Sequence, residues 1–135
     1  MTFAGGTPTD TPGPLTRKVI DYERTLRGLV TEAKDPADWA PLTAFVAVDD
    51  FERVGTFREV QDWAQYTKML TRWAAATGSF ETTIRRISEV GRLVYFEIEE
   101  RHTRGDDVIV VNSLTVFEFD EADEIRHLAV YLQQG

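Results

Sequence analysis

The chain has 135 residues, of which 42% are hydrophobic, and its 23 acidic and 15 basic residues give a net charge of −8 at pH 7. A chain of this length buries enough surface to form one hydrophobic core. The negative charge argues against nucleic acid and anionic membranes as partners, because both attract positive surfaces. Cys is absent and only two His are present, so we expect no disulfide, no metal centre and no cofactor. The absence of a long apolar stretch or signal peptide predicts a cytoplasmic protein.

Residues 1–14 differ in composition from the rest of the chain. Three of the five Pro fall here, together with several Gly and Thr. Such a segment buries too little apolar surface to offset the entropy that is lost on ordering. We therefore predict a disordered N-terminal arm over 1–14 and a single domain over 15–135.

Apolar residues at helical spacing predict three helices before residue 78. The first has Thr16 as its N-cap, and the second begins at Asp35, ahead of a Pro. The third begins at Asp62, where Gln65 completes a capping-box pattern, and Gly78 is placed to end it. A short strand is predicted over 51–56, between the second and third helices. The core-facing residues of the three helices are Val19, Tyr22, Leu26, Leu29 and Ala33; Trp39, Leu42, Phe45 and Val46; and Trp63, Tyr66, Leu70 and Trp73.

After Gly78 the apolar spacing changes to every second residue, which is typical of strands. The four predicted strands are Phe80–Glu89, Arg92–Thr103, Asp107–Phe119 and Ile125–Gln133. The links between them are short, so neighbouring strands must be antiparallel. The sequence therefore predicts an α+β fold in which three helices precede an antiparallel sheet.

The turn between the second and third of these strands decides which side chains share a face of the sheet. A two-residue turn at Gly105-Asp106 pairs Arg104 with Asp107, and cross-strand partners lie on the same face. The face predicted to meet the helices, called the inner face below, carries Val94, Phe96, Ile98, Glu100 and His102 opposite Ile109, Val111, Ser113, Thr115 and Phe117. The outer face carries Tyr95, Glu97, Glu99 and Arg101 opposite Val108, Val110, Asn112, Leu114 and Val116. A three-residue turn would exchange the two faces.

The strand Asp107–Phe119 is apolar on both faces, although the helices can cover only one of them. A second cover is therefore expected on the outer face. We predict a homodimer through the outer side chains Val108, Val110, Leu114 and Val116, with His127 and Tyr131 as further participants. The alternative is a curved sheet that covers itself.

Two segments resemble a known superfamily. They are Val-Asp-Asp-Phe-Glu at 48–52 and the run from Val116 to Leu132, which places an aromatic residue, an acid and a turn before an aromatic-bearing last strand. With the order of helices and strands, they make residues 15–133 similar to the nuclear transport factor 2-like superfamily, close to SnoaL-like polyketide cyclases and ketosteroid isomerases. The resemblance implies a curved sheet wrapped by three helices into a cone, an apolar pocket inside it, and frequent dimerisation.

The resemblance to ketosteroid isomerases implies three functional positions. Tyr22 lies where those enzymes have a helical Tyr that donates to an oxyanion. Their base corresponds to a position within 50–53, where Glu52 is the most suitable carboxylate, but the position of their strand acid holds Thr115. A Thr hydroxyl can donate a hydrogen bond but cannot replace a carboxylic acid, so steroid isomerisation is not expected.

The resemblance to limonene epoxide hydrolases, which use an Asp-Arg-Asp set, fails at two positions. Arg101 matches their Arg, but Thr103 and Val130 stand where the two carboxylates would be. Without a carboxylate nothing activates the water or protonates the epoxide. The predicted hairpin register also turns Arg101 outward.

Glu100 and His102 lie two residues apart on the predicted inner face, near the open end of the sheet. One interpretation is an acid–base pair, since His beside a carboxylate is a common arrangement for proton transfer. The other is an ion pair at the rim of the sheet with little energetic weight. Tyr22 likewise is either packing or a hydrogen-bond donor to a ligand.

The pocket that the resemblance implies would be lined mainly by apolar side chains. The hydroxyls of Ser113 and Thr115 need a partner, either a backbone group or a ligand. Trp73 is a further aromatic candidate, although aromatic residues at helical spacing usually belong to the core. The predicted ligand-binding residues are Trp39, Trp63, Phe96, Ile98, Ser113, Thr115, Phe117, Leu128 and Val130.

Two functional hypotheses follow. The first is a pocket protein that binds a small hydrophobic molecule carrying a carbonyl group. The second is a cofactor-independent isomerase, cyclase or dehydratase, in which Tyr22 is the donor and the base is either Glu52 or the pair Glu100 and His102. Because both enzyme templates lose a strand carboxylate, the sequence favours the binding hypothesis.

Overall fold

The computed structural model describes residues 13–133. Residues 1–12 of the predicted arm, which spans 1–14, lie outside this range. Helix α1 spans Pro14–Leu29 and α2 spans Trp63–Ala76, and two 3-10 segments lie at Pro36–Ala44 and Val48–Asp50. The strands are β1 Glu52–Val54, β2 Val60–Gln61, β3 Ser79–Val90, β4 Leu93–Arg104, β5 Asp107–Phe119 and β6 Ile125–Gln133. None of the helices within the described range is long and apolar enough to cross a lipid bilayer.

Helix α1 begins three residues earlier than the predicted N-cap at Thr16 implies. Gly13 is its N-cap and Pro14, which the sequence had placed in the arm, occupies the first turn, where its fixed φ suits a helix. Thr16 is therefore a helical residue and not the cap. Its backbone N–H and its hydroxyl both donate to Oε1 of Glu89, each at 2.8 Å. A carboxylate on β3 thus takes the capping role and ties α1 to the sheet.

The second predicted helix is a 3-10 segment that begins after Asp35. Asp35 occupies the N-cap position but makes no side-chain capping bond, and Pro41 inside the segment lacks the N–H that a regular helix needs. Helix α2 has the predicted capping box, with reciprocal bonds of 2.8 and 2.9 Å between Asp62 and Gln65. Gly78 follows α2 and lets the chain approach β4, because a Cβ there would lie 2.6 Å from the carbonyl oxygen of Thr103.

The six strands form one sheet in the order β2-β1-β6-β5-β4-β3. The four long strands agree with the prediction to within one residue, and they pair antiparallel as expected. The complete sheet is mixed, because the short strand β1, whose pairing the sequence did not predict, pairs parallel to β6 and carries β2 at the edge. Strands of two and three residues show too little alternation to reveal their pairing. The α+β fold is confirmed.

The register of the β4–β5 hairpin is the predicted one. Arg104 pairs with Asp107, so Gly105 and Asp106 form a two-residue turn, and Gly105 has the φ of +60° that favours glycine at this position. The β3–β4 turn lies one residue later than predicted, at Gly91-Arg92, because Val90 pairs with Leu93. The assignment of side chains to the inner and outer faces of β4 and β5 is therefore confirmed.

The core lies between the inner face and the helices. Its most deeply buried hydrophobic members are Val19, Trp39, Leu42, Val94, Ile125 and Leu128. The strand pairing is interrupted at two places. One register shift lies near Arg85 in β3, and the other lies between Glu118 and Phe119 in β5. Such irregularities bend strands.

Candidate ligand-binding site

A pocket of about 400 Å³ lies between α1, α2 and the inner face of the sheet. It opens at the end of the sheet where β5 begins and β6 ends, and the apolar side chains Ile109 and Leu132 are exposed there. Its closed end lies beside Phe117 and Leu128, which are buried. The apolar and aromatic lining comprises Leu26, Met69, Leu70, Trp73, Phe80, Phe96, Ile98, Ile109, Val111, Phe117, Leu128, Val130 and Leu132.

Two tyrosines form a hydrogen-bonded pair at the closed end of the pocket. The hydroxyls of Tyr22 on α1 and Tyr66 on α2 are 2.8 Å apart, and both side chains are buried. The ring of Tyr22 contacts Phe117 edge-to-face, with centroids 5.7 Å apart, and the ring of Tyr66 stacks on Phe51. The pair is therefore held in place from both helices and from the sheet.

The tyrosine pair stays protonated across the neutral range. Burial raises the pKa of the Tyr22 hydroxyl well above its usual range, and the nearby Tyr66 adds to this shift. Burial also raises the pKa of Tyr66, against the lowering effects of its hydrogen bond to Tyr22 and of the charge on Arg53. The pair therefore offers neutral O–H donors.

Arg53 on β1 adds a positive charge beside the tyrosines. Its guanidinium carbon lies 5.5 Å from the centre of the Tyr66 ring. Its Nη1 donates to Oε1 of Gln61 at 2.9 Å and lies 3.8 Å from Oε2 of Glu59. Because Arg53 pairs with Leu128 of β6, it belongs to the inner face and reaches the pocket.

Glu100 and His102 line the open half of the same pocket. Nε2 of His102 lies 2.9 Å from Oε1 of Glu100, and both side chains are less than one-fifth exposed. The imidazole also packs against Phe80 and Trp73, with ring centroids 5.0 and 6.0 Å away. The pair is thus partly shielded from solvent, more than the rim interpretation implied.

A third carboxylate of the lining, Glu23, is bound within the protein. Its Oε2 accepts a hydrogen bond of 2.9 Å from the hydroxyl of Thr82 and lies 3.4 Å from Nε of Arg27. These partners hold its charge towards α1 and β3.

The structure brings most of the predicted site residues together. Three of the four predicted catalytic residues line the pocket: Tyr22, Glu100 and His102. The predicted ligand-binding residues that line it are Phe96, Ile98, Thr115, Phe117, Leu128 and Val130. Arg101 is exposed and bonds to Glu99 at 3.4 Å, which agrees with its predicted outward direction.

Glu52 lies outside the pocket, which corrects its placement as a base near Tyr22. It pairs with His127 in the β1–β6 ladder, and its Oε1 is 3.3 Å from Nε2 of that residue on the outer face. Side chains alternate along a strand, so the inward position belongs to its neighbour Arg53.

Three predicted ligand-binding residues are packing residues and do not line the pocket. Trp39 is fully buried in the core, where its indole N–H donates to Oγ1 of Thr71 at 3.1 Å. Trp63 packs edge-to-face against Phe51, behind Tyr66. Ser113 is buried on the inner face of β5. The spacing of apolar residues along each helix or strand predicts that these three side chains point inward. It does not show which inward side chains reach the pocket.

The sequence reasoning missed Tyr66, Arg53 and Glu23 as functional candidates. Tyr66 was assigned to the core-facing stripe of its helix, and nothing in the sequence pairs it with Tyr22. The sequence does contain a signal for Arg53: Phe51 is apolar, and strict alternation along a strand turns residue 53 to the same side as residue 51.

Within residues 13–133 no group of three or more His, Asp or Glu side chains is placed to hold a metal ion. The polar groups of the pocket can act as hydrogen-bond donors, charges and proton carriers. These groups lie in two parts of the pocket. Tyr22, Tyr66 and Arg53 provide hydrogen-bond donors at the closed end, and Glu100 and His102 lie nearer the opening.

No protein-family model and no curated protein matches the chain, whereas many solved structures share its fold. An NTF2-like protein from Anabaena variabilis aligns with a TM-score of 0.73 at 11% identity, covering 95% of this chain and 97% of the other. A SnoaL-like protein of the polyketide cyclase type from Jannaschia sp. CCS1 aligns with a TM-score of 0.69 at 10% identity, covering 93% and 92%. An epoxide hydrolase of Mycobacterium tuberculosis, similar to limonene epoxide hydrolases, aligns with a TM-score of 0.64 at 20% identity, covering 89% and 86%.

These similarities show that the chain has the nuclear transport factor 2-like fold, as the sequence predicted. The structures that share it include cyclase-type and hydrolase-type proteins, so the fold itself is compatible with pocket chemistry of more than one kind.

The buried tyrosine pair predicts a specific alkaline titration. Tyr22 and Tyr66 should ionise at higher pH than free tyrosine, which titrates near pH 10. Absorbance at 295 nm should show a late phase that disappears in the Tyr22→Phe/Tyr66→Phe double variant. The unfolded chain releases these protons near pH 10 while the folded chain keeps them, so the free energy of unfolding should decrease as the pH rises above about 10. A double variant with an unchanged late phase would contradict the assignment.

Proposed function

We propose that the pocket binds a small, largely apolar molecule whose carbonyl oxygen accepts a hydrogen bond from the Tyr22–Tyr66 pair. The observation that carries this proposal is the pair itself, two buried hydroxyls 2.8 Å apart in the wall of a mainly apolar pocket. Ligand pockets in proteins commonly combine such an apolar lining with a few polar groups that fix orientation.

The hydrogen-bond inventory of the pair leaves one donor for a ligand. Each tyrosine hydroxyl carries one hydrogen, and the contact between Tyr22 and Tyr66 uses one of the two. The second hydrogen can be donated to an acceptor in the pocket. A carbonyl oxygen is an acceptor without a hydrogen of its own, and therefore suits this position.

The size of the pocket supports a ligand of two or three fused rings or an equivalent chain. About 400 Å³ lies at the lower end of the range for small-molecule sites. The exposed side chains Ile109 and Leu132 at the opening extend the apolar surface outward. A ligand that is apolar along its whole length except for one terminal oxygen-bearing group would match both ends.

A matched pair of probes tests the carbonyl requirement. By equilibrium dialysis, 2-acetylnaphthalene should bind the wild-type protein roughly three- to tenfold more tightly than 2-ethylnaphthalene, as expected for one neutral hydrogen bond. The Tyr22→Phe/Tyr66→Phe variant should lose this preference, whereas the single variants keep one donor. Tyr131→Phe, which changes an exposed tyrosine of β6, serves as the control. Equal binding of both probes to the wild-type protein would refute the role of the tyrosine pair.

A second candidate function is cofactor-independent proton transfer, of the kind used by isomerases, cyclases and dehydratases. The observation that favours it is the 2.9 Å contact between His102 and Glu100, in the same pocket as the tyrosine donors. The imidazole would remove a proton from the carbon next to the ligand carbonyl, and the resulting enolate oxygen would be stabilised by a tyrosine hydroxyl. Returning the proton to a different carbon would complete an isomerisation.

Deuterium exchange tests this second function. In D2O at pD 7, the protein should accelerate exchange of the methyl hydrogens of 2-acetylnaphthalene, followed by proton NMR. His102→Gln should reduce the acceleration at least tenfold, within the usual contribution of one general base. His127→Gln is the matched control, since that histidine pairs with Glu52 on the outer face. If His102→Gln exchanges the methyl hydrogens as fast as the wild-type protein, proton transfer by His102 is refuted and only the binding function remains.

We further propose that the outer face of the sheet binds a second copy of the chain. Val108, Val110 and Tyr131 are 52%, 44% and 59% exposed on this face. The same face carries both signs of charge, with Glu97 bonded to Arg86 and Glu99 near Arg101. Because a twofold axis brings a surface against itself, alternating acidic and basic side chains can meet their opposites.

The mass of the protein in solution tests this assembly. Sedimentation equilibrium at micromolar concentration should give twice the 15.4 kDa mass of the chain. Val110→Glu should shift the protein to the monomer by placing a charge in the contact. Val60→Glu, at an exposed position on β2, should leave the dimer intact. A wild-type protein that sediments as a monomer would refute the proposal.

A further inference from the structure

Arg53 is the one permanently cationic side chain that lines the pocket within the described residues. Its side chain is only 14% exposed, and it occupies the closed half, against the ring of Tyr66. A guanidinium in such a place has lost part of its hydration, so an anionic ligand group can compensate it more strongly than at the surface.

The protein itself engages one side of this guanidinium. Nη1 is held by Gln61 at 2.9 Å, and the carboxylate of Glu59 lies farther away, at 3.8 Å and with nearly half of its surface exposed. Gln61 is neutral, so it orients the guanidinium without cancelling its charge. A guanidinium carries five N–H donors in a planar fork, which matches a carboxylate.

The two carboxylates that also line the pocket are directed to other partners. Glu23 binds Thr82 and lies near Arg27, and Glu100 binds His102. Neither is paired with Arg53 among the ion pairs of the described residues. Burial raises the pKa of both Tyr22 and Tyr66, and the positive charge of Arg53 opposes this rise, which shows that its charge acts at the closed end of the pocket.

We infer that the natural ligand is an apolar molecule with a carboxylate group, which Arg53 binds through its guanidinium while a tyrosine hydroxyl donates to the same group. This inference rests on the proposed binding function and specifies its ligand class. One carboxylate oxygen would lie at the Tyr22–Tyr66 pair and the other at Arg53. The hydrocarbon part would extend along the inner face towards the opening.

Two probes of nearly equal shape test the inference. By equilibrium dialysis at pH 7, 2-naphthoate should bind the wild-type protein at least tenfold more tightly than the neutral 2-naphthamide, because charge-assisted hydrogen bonds are stronger than neutral ones. Arg53→Met should reduce this preference to less than about twofold and change the affinity for 2-naphthamide little. Arg53→Lys, which keeps the charge and loses the fork, should retain part of it.

Arg126→Met is the matched control variant. It removes the same charge from an arginine that bonds to Glu118 on the outer face, and it should keep the full preference for 2-naphthoate. If the wild-type protein binds both probes equally, or if Arg53→Met keeps the preference, the inference is overturned and the binding function stands. If neither probe binds, the proposed binding function fails together with it. If Arg53→Met does not fold, the comparison of 2-naphthoate with 2-naphthamide on the wild-type protein still tests whether the pocket prefers a carboxylate.

Discussion

The turn at Gly105-Asp106 is the constraint on which the pocket depends. It pairs Arg104 with Asp107 and so places Phe96, Thr115 and Phe117 on the face that meets the helices. A turn longer by one residue would move every inward side chain of one strand to the outer face. Gly105 permits the turn because its φ of +60° costs glycine little. The apolar lining, the position of Glu100 and His102, and the charged outer face all follow from this register.

The polar groups of the pocket are separated by the same geometry. Tyr22, Tyr66 and Arg53 meet at the closed end, where burial keeps the hydroxyls protonated and a positive charge lies beside them. Glu100 and His102 lie nearer the opening, where His102 is enclosed by aromatic rings. A ligand in this pocket would therefore meet donors at one end and a proton acceptor farther out. The proposed binding of a carbonyl compound needs only the donors, whereas the proposed proton transfer needs the acceptor as well.

Much of this arrangement could be predicted from alternation and spacing. The two-residue period of apolar side chains predicts the four long strands. Together with the turn at Gly105-Asp106, it also predicts the register of the hairpin and the inward direction of Phe96, Thr115 and His102. The core stripe of α1 included Tyr22, and the capping box located the start of α2. The errors lie where local pattern is short or ambiguous. The resemblance to ketosteroid isomerases assigned the base to Glu52, although the three-residue strand β1 turns this residue outward and turns Arg53 inward.

The sequence by itself determined the α+β class, the antiparallel pairing of the long strands and the faces of their side chains, because these depend on local periodicity and turn length. Only the tertiary structure decided which inward residues reach the pocket and which fill the core, since Trp39, Trp63 and Phe96 are indistinguishable by spacing. It also decided the meeting of Tyr22 with Tyr66, which are 44 residues apart, and the placement of Arg53 beside them through a parallel pairing with β6. These contacts arise from the packing of two helices and a short strand against one sheet, and no local pattern encodes them.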